Sequence, residues 1–575
     1  MASYSEIDGI PCGANKKIAR ELLRETMGFG GVLVSDGGAV WKLFNTFGVA
    51  KDYVEAGLVG IKGGMDTEMP VGAAYRQLGQ YVESGELDVS IIDEAVRRVL
   101  ASKFELGLFE QPYINEDNVA RSMTNKNSIT ISKEITEQSI ILLKNEESVL
   151  PIKNNKKIAV VGPHAGLLRP SVSGYTIMAY YELIAGMSSD SKDEPTFHGI
   201  MDEKKKAKSK KDNSENVYSF GEMADFLGTN FNPEEILKAK FGGTTLVEEL
   251  KTRTNVNYAK GCEIVGDDTT EFGNALELAK NSDMVIMTLG GNCGWTKCTG
   301  GEGKDRTSLD LPGVQQQLLD EIVKTGKEIV LVLYGPGQYA PKLTDNVKAI
   351  IQAWLPGAYG GSAIAKILCG EINPSGKLPI TMPRNVGQVP IFYNHKTGSG
   401  YTVVQEKSGI NSIELFGGGY VDSENTPLFP FGHGLSYTSF EISNTLVAKN
   451  EISTNEVITV TCTIKNVGDR AGVEVIQLYC RDCEAHVTRP VKQLAGFKRV
   501  YLEAQKSAQL SFMLSTAQLG FYNEDMEFVV EPGNIELMLG TSSENIVYKE
   551  KVKLTGEKIN LMGKRSYTCP VIVSI

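Results

Sequence analysis

The chain has 575 residues, 41% hydrophobic and 22% charged, which is enough apolar material for several buried cores. Its 59 Lys+Arg against 70 Asp+Glu leave a formal net charge of -11, and that balance argues against a phosphate-binding surface. No run approaches the ~20 apolar residues of a membrane-spanning helix, so neither nucleic acid nor a membrane is an expected partner.

Residues 1–112 alternate short apolar runs with amphipathic helices. The pattern predicts a helix over 18–24, broken by the glycines between Gly28 and Gly31, then a short buried strand at 32–34 that stops at Ser35-Asp36-Gly37-Gly38. A charged helix is expected over 91–104, ended by Gly107 and Pro112. Residues 113–130 read as a linker. From 131 to 393 the strands become clearer: 157–162, 284–290 and 328–335 are near-continuous apolar runs ending in glycine. Strands buried on both faces look like this, so a mostly parallel sheet layered between helices is expected, with helices at 272–279 and 314–323. A lysine-rich stretch at 202–215 interrupts this region and reads as a solvated insertion. Residues 394–439 form a connecting loop region. From 440 to 575 the period changes to two, at 457–464, 473–478 and 509–514, which predicts a supporting β-sandwich.

Nine cysteines are scattered without a repeating spacing, and Cys480 and Cys483 form a lone C-x-x-C with no second pair to complete a zinc site. The five histidines show no metal-ligand helical spacing. No metal is expected. The N-terminal residues lack the basic and apolar regions of a secretory leader, and the scattered thiols lean toward a reducing, cytoplasmic compartment, with the location otherwise left open.

Two carboxylates could carry chemistry. Asp36 stands where a parallel strand hands over to a loop, the place where active sites of barrels and open α/β sheets lie; the alternative is that it caps the next helix. Glu302 stands among Gly300, Gly301 and Gly303, in a loop whose backbone can bring an acid close to a ligand. The alternative there is an ordinary surface loop in which Asp305 and Arg306 pair. Trp295, seven residues before Glu302, could offer an apolar face to a sugar ring. An ionised carboxylate to attack an anomeric carbon and a protonated one to assist the leaving oxygen are what a glycosidase needs. Rival motifs fail: Gly162-Pro163-His164-Ala165-Gly166 lacks the glycine spacing of a dinucleotide fingerprint, and Ser35 has no G-x-S-x-G elbow.

GFGGVLVSDGG (28–38), GGEGKDRTSLDLPGVQ (300–315), NPSGKLP (373–379) and PFGHGLSYT (430–438) resemble glycoside hydrolase family 3. KNVGDRAGVEVIQLY (465–479), TRPVKQLAGFKRVYL (488–502) and EPGNIELMLGTSS (531–543) resemble the fibronectin type III-like domain that ends many β-glucosidases of that family. The resemblance implies a (β/α)8 barrel domain, an α/β sandwich domain and a terminal β-sandwich. It implies a retaining β-glucosidase-like hydrolase acting on β-linked glycosides, without metal or organic cofactor, with Asp36 as nucleophile and Glu302 as acid/base. Tyr4 falls where the family carries a tyrosine beside the nucleophile in the sugar subsite. Gly37 replaces a frequent tryptophan and loosens one wall of that pocket.

A whole barrel needs ~250 residues, so the resemblance assigns residues 1–112 to roughly the last three of its eight strands. The family's aspartate, arginine, lysine and histidine that grip sugar hydroxyls find no match. Open strand edges of such a part-barrel invite pairing with the missing half or with another copy. Alternatives are a β-xylosidase or α-arabinofuranosidase of the same family, or a non-catalytic carbohydrate-binding or structural remnant.

Overall fold

The computed structural model describes residues 1–70, 72–123, 125–153, 156–188, 232–295, 298–396 and 420–574. The lysine-rich stretch 202–215 lies outside them. The chain divides into two compact units: one holds Met1–Lys126, the other Asn127–Leu183 and the described residues from Asn232 onward.

In the first unit three short segments run parallel. The Ala2 amide donates to Val34 O at 2.9 Å, the Asp66 amide to Leu33 O at 2.7 Å and the Ser35 amide to Thr67 O at 3.0 Å. The expected buried strand at 32–34 is corrected here. Val34 and Ser35 form isolated bridges, and burial alternates, with Leu33 and Ser35 inside and Val32 and Val34 only half-covered. Side chains of an extended segment face opposite sides, so a segment bonded through single pairs buries one face. The predicted first helix is a π-helix over Lys17–Thr26. Helices α1 (Ala39–Asn45), α2 (Tyr53–Gly63) and α3 (Val89–Glu105) follow. Asp52 caps α2 by accepting the Glu55 amide at 2.8 Å. Val40, Leu43, Ala56 and Met65 pack one small core, and Leu58, Ile61, Leu87 and Ala95 another.

The linker expected at 113–130 is largely helical: Glu116–Met123 forms one helix and Lys126–Ser139 another. Isoleucine and threonine crowd the second, and their low helix propensity hid it.

The second unit centres on a six-stranded sheet: β1 (Ile141–Asn145), β2 (Ile158–Val161), β3 (Val256–Ala259), β4 (Met284–Gly290), β5 (Glu328–Tyr334) and β6 (Val347–Trp354). The order is β1-β6-β5-β4-β2-β3, parallel except for edge strand β1, which runs antiparallel to β6. Every residue of β2 and β4 is buried. Helices α4 (Pro233–Phe241), α5 (Leu246–Lys251), α6 (Phe272–Lys280), α7 (Gln315–Val323) and α8 (Gly360–Leu368) complete the layers. Alternate strand residues feed opposite cores. Val160, Ile286, Val332 and Ile351 pack with Leu246, Leu250, Ile364 and Leu368 of α5 and α8. Val161, Met287, Leu331 and Ile350 pack with Ala275, Ala279, Leu318 and Ile322 of α6 and α7. Each buried Leu or Ile contributes roughly 1.5–3 kcal/mol. The Thr245 hydroxyl accepts the Glu248 amide and Glu248 accepts the Thr245 amide, a capping box that starts α5.

The C-terminal strands are β7 (Phe440–Val447), β8 (Glu451–Ser453), β9 (Val457–Asn466), β10 (Gly472–Asp482), β11 (Gln493–Leu502), β12 (Ser507–Ser515), β13 (Gly533–Gly540), β14 (Ile546–Thr555) and β15 (Val571–Ser574). They form sheets ordered β8-β14-β13-β10-β11 and β15-β12-β9-β7. Ile458, Val460, Cys462 and Ile464 of β9 meet Ile476, Leu478, Leu537 and Leu539 of the facing sheet in one core, as their alternation predicts. Cys480 lies buried in β10 and Cys483 just beyond it.

Candidate active site

Asp36 and Glu68 stand just past the carboxyl ends of two of the parallel segments and Asp66 opens the second of these, and Asp66 and Glu68 are fully engaged. Asp66 is gripped by Arg24 at 2.7 Å and Arg98 at 2.8 Å and also takes the Leu33 amide at 2.8 Å. Glu68 takes the Tyr53 hydroxyl at 2.5 Å and the amides of Ala74 and Tyr75 at 3.0 and 2.9 Å. Asp36 differs: its Oδ1 takes only the neighbouring Gly37 amide, at 2.7 Å. It is not the helix cap. That position belongs to Gly38, at φ 77°, and no side chain bonds the first turn of α1. Buried Ser35 fixes the strand end, its hydroxyl accepting the Met69 amide at 2.8 Å. The structure therefore leaves Asp36 half-buried with one oxygen uncommitted among the described residues, the state an attacking carboxylate requires. Tyr4 stands beside it: the phenol donates to Gly37 O at 2.5 Å, and the Lys42 ammonium sits 3.6 Å from the ring centre. A Cβ at position 37 would make only ordinary van der Waals contact with the Tyr4 oxygen, at 3.8 Å.

In the second unit the loop after β4 carries Glu302. The Asn292 amide donates to Thr299 Oγ1 at 3.0 Å, and the Thr299 amide returns to Asn292 Oδ1 at 3.1 Å. Gly301 and Lys304 bridge across a tight turn closed by Gly303 at φ 65°, with Glu302 exposed at its tip. Both flanks rest on buried Tyr339. Its hydroxyl lies 3.2 Å from Thr299 Oγ1, and the Arg306 guanidinium stacks 4.1 Å above its ring. Arg306 donates to Gln338 O at 2.8 Å; the Asp305–Arg306 pair considered from sequence is not formed. The Tyr175 hydroxyl donates to Glu302 Oε2.

Trp295 does not offer the open face expected of it. It is 6% exposed, its indole donates to Gly174 O at 2.7 Å, and Tyr175 meets its ring edge-on at 5.4 Å. Arg169 binds Glu182 through two bonds of 2.6 Å and donates to Val172 O and Cys293 O, both at 3.2 Å. Glu234 at the start of α4 holds the Leu168 and Arg169 amides at 2.8 Å. The Gly162-Pro163-His164 turn is a brace. His164 stacks on Tyr334 at 4.9 Å and faces Gly291 O at 3.0 Å and Thr288 O at 3.4 Å, and burial pushes its pKa down to about 4.

Sequence reasoning named Asp36, Glu302 and Tyr4 as candidates but not Tyr175, Tyr339, His164 or the Arg169–Glu182 pair, which surround or brace the Glu302 loop. For Tyr175, Tyr339 and His164 the available signal was placement soon after a strand or beside a glycine; nothing local marks the Arg169–Glu182 pair, which joins two separate helical segments.

Residues 1–102 match the glycosyl hydrolase family 3 N-terminal domain, 140–437 its C-terminal domain, and 474–543 a fibronectin type III-like domain. A beta-xylosidase of Formosa agariphila is 32% identical over 95% of this chain and 67% of its own length. A periplasmic beta-glucosidase of Salmonella typhimurium is 31% identical over 95% of this chain and 66% of its own. The crystal structure of a beta-glucosidase from Listeria innocua in complex with isofagomine superposes with a TM-score of 0.78 at 30% identity, covering 96% of this chain and 68% of that one. The chain therefore spans about two thirds of the length of the relatives it matches.

Proposed function

The chain belongs to glycosyl hydrolase family 3, and we propose that it releases terminal non-reducing β-D-glucosyl residues from β-linked glycosides with retention of configuration. The observation that carries this reading is the uncommitted carboxylate of Asp36 at a parallel strand end, next to Tyr4. Asp36, ionised, attacks the anomeric carbon as the glycosidic bond breaks. Glu302, protonated, gives its proton to the departing oxygen. Glu302 then takes a proton from water as that water attacks the glycosyl-enzyme and frees Asp36. The Glu302 turn supports this role because its two anchored flanks fix the backbone while the side chain stays exposed.

A β-xyloside is the second substrate reading, favoured by the likeness to beta-xylosidases. Aryl β-glucosides and β-xylosides compared at equal leaving group decide between them.

The acid/base role is tested with Glu302→Gln. Its kcat/KM should fall about 10²–10⁴-fold on a glycoside with a poor leaving group, and far less on a 2,4-dinitrophenyl glycoside, which leaves without a proton. An equal fall on both substrates would remove Glu302 from that role.

A further inference from the structure

Glu302 and Tyr175 lie far apart in sequence yet belong to one stitched frame. The Trp295 indole donates to Gly174 O at 2.7 Å, the Gly174 amide reaches Cys293 Sγ at 3.3 Å, and Arg169 bonds the carbonyls of both Val172 and Cys293. These bonds fix the residue next to Tyr175 against the root of the Glu302 loop. The Tyr175 ring is set edge-on to Trp295, and its hydroxyl donates to Glu302 Oε2. Lys304 and Asp305 on the loop, Arg306 on Tyr339, the thiols Cys293 and Cys298, and the Arg169–Glu182 pair surround this region. Among the described residues none of them is bonded to the Glu302 carboxylate.

We propose that Tyr175 is a positioning residue for Glu302, its phenol holding the carboxylate by Oε2. The proposal rests on Glu302 as acid/base. A neutral donor stabilises a carboxylate over its acid. Tyr175 therefore readies Glu302 to act as base toward water, and it must release Oε2 when Glu302 acts as acid. Removing the hydroxyl makes the protonated form persist to higher pH.

The sequence provides a clean readout. Cleavage after Lys297 and Lys304 releases residues 298–304, in which Glu302 is the only side-chain carboxyl. A diazoacetamide esterifies the protonated acid: the acid proton goes to the diazo carbon, dinitrogen leaves, and the carboxylate oxygen forms the ester bond. Mass analysis of this peptide against pH gives the midpoint of Glu302 in the full chain, and Glu302→Gln should abolish the label. In Tyr175→Phe the midpoint should rise by about half a unit or more, equivalent to roughly threefold faster labelling at a fixed pH above it. Tyr180→Phe removes a nearby phenol that does not reach Glu302 and should leave the midpoint in place. An unchanged or lowered midpoint in Tyr175→Phe overturns the proposal, as does an equal rise in Tyr180→Phe. Tyr175 is 67% exposed and phenylalanine keeps its ring contact, so the variant should retain the wild-type far-UV circular dichroism. Labelling needs no turnover. A failure of the hydrolytic reading shows in the leaving-group test, and a failure of this proposal shows in the midpoint.

Discussion

At His164 two backbone carbonyls face one imidazole, and the neutral ring has a single proton to give. Burial outweighs the gain from a second bond and pushes the pKa down to about 4, against about 6.5 in an unfolded chain. Between those values the unfolded chain takes up a proton that the folded one refuses. Stability is thus complete above about pH 6.5 and is lost as pH falls toward 4, by up to about 3 kcal/mol from this residue. The urea midpoint of the wild type should fall more steeply between pH 7 and 4.5 than that of His164→Gln. Parallel slopes would show that burial does not set this proton. The sequence made His164 visible only as part of a failed fingerprint, because nothing local records that strand β4 and the turn after β2 close around it. Asp36 was legible for the opposite reason. A carboxylate at a strand end needs little else to be noticed, whereas the engagement of Asp66 and Glu68 depends on Arg24, Arg98 and Tyr53, brought in from elsewhere in the chain.

Strand ends tell the same story for elements. The apolar runs closing on Gly162, Gly290 and Gly335 were readable as buried strands, and each glycine has positive φ, of 124°, 129° and 137°. A Cβ on Gly290 would fall 1.9 Å from Tyr334 O on the neighbouring strand, so the sheet can close only over glycine. Edge strand β1 stayed hidden because it is short and follows a helix of poor formers. Gln315, the last residue of the LPGVQ motif, shows what a motif can mean structurally. At the start of α7 its side chain accepts the Gly290 amide at 2.7 Å and donates to Gly290 O and Ile264 O at 2.7 and 2.8 Å, fully buried. Gln315→Leu would leave those groups unpaired, at a cost of about 2–4 kcal/mol. A clear drop in the urea midpoint is expected, and an unchanged midpoint would mean that Gly290 finds other partners.

For the whole chain, the change from strands buried on both faces to strands of alternating burial marked the passage from layered sheet to sandwich, and the sheet orders bear it out. The helices at 116–123 and 126–139 were not legible, the second because isoleucine and threonine crowd it and form helices poorly. Motifs alone pointed to the candidate carboxylates; their surroundings had to come from the fold. Retaining hydrolysis requires Asp36 as a nucleophile, and the direct test is a 2-deoxy-2-fluoro-β-glucoside with a 2,4-dinitrophenyl leaving group, followed by intact mass and peptide mapping. The expected result is a single glycosyl adduct on the peptide containing Asp36, absent in Asp36→Asn. An adduct on another carboxylate, or none on folded protein, would remove Asp36 from that role.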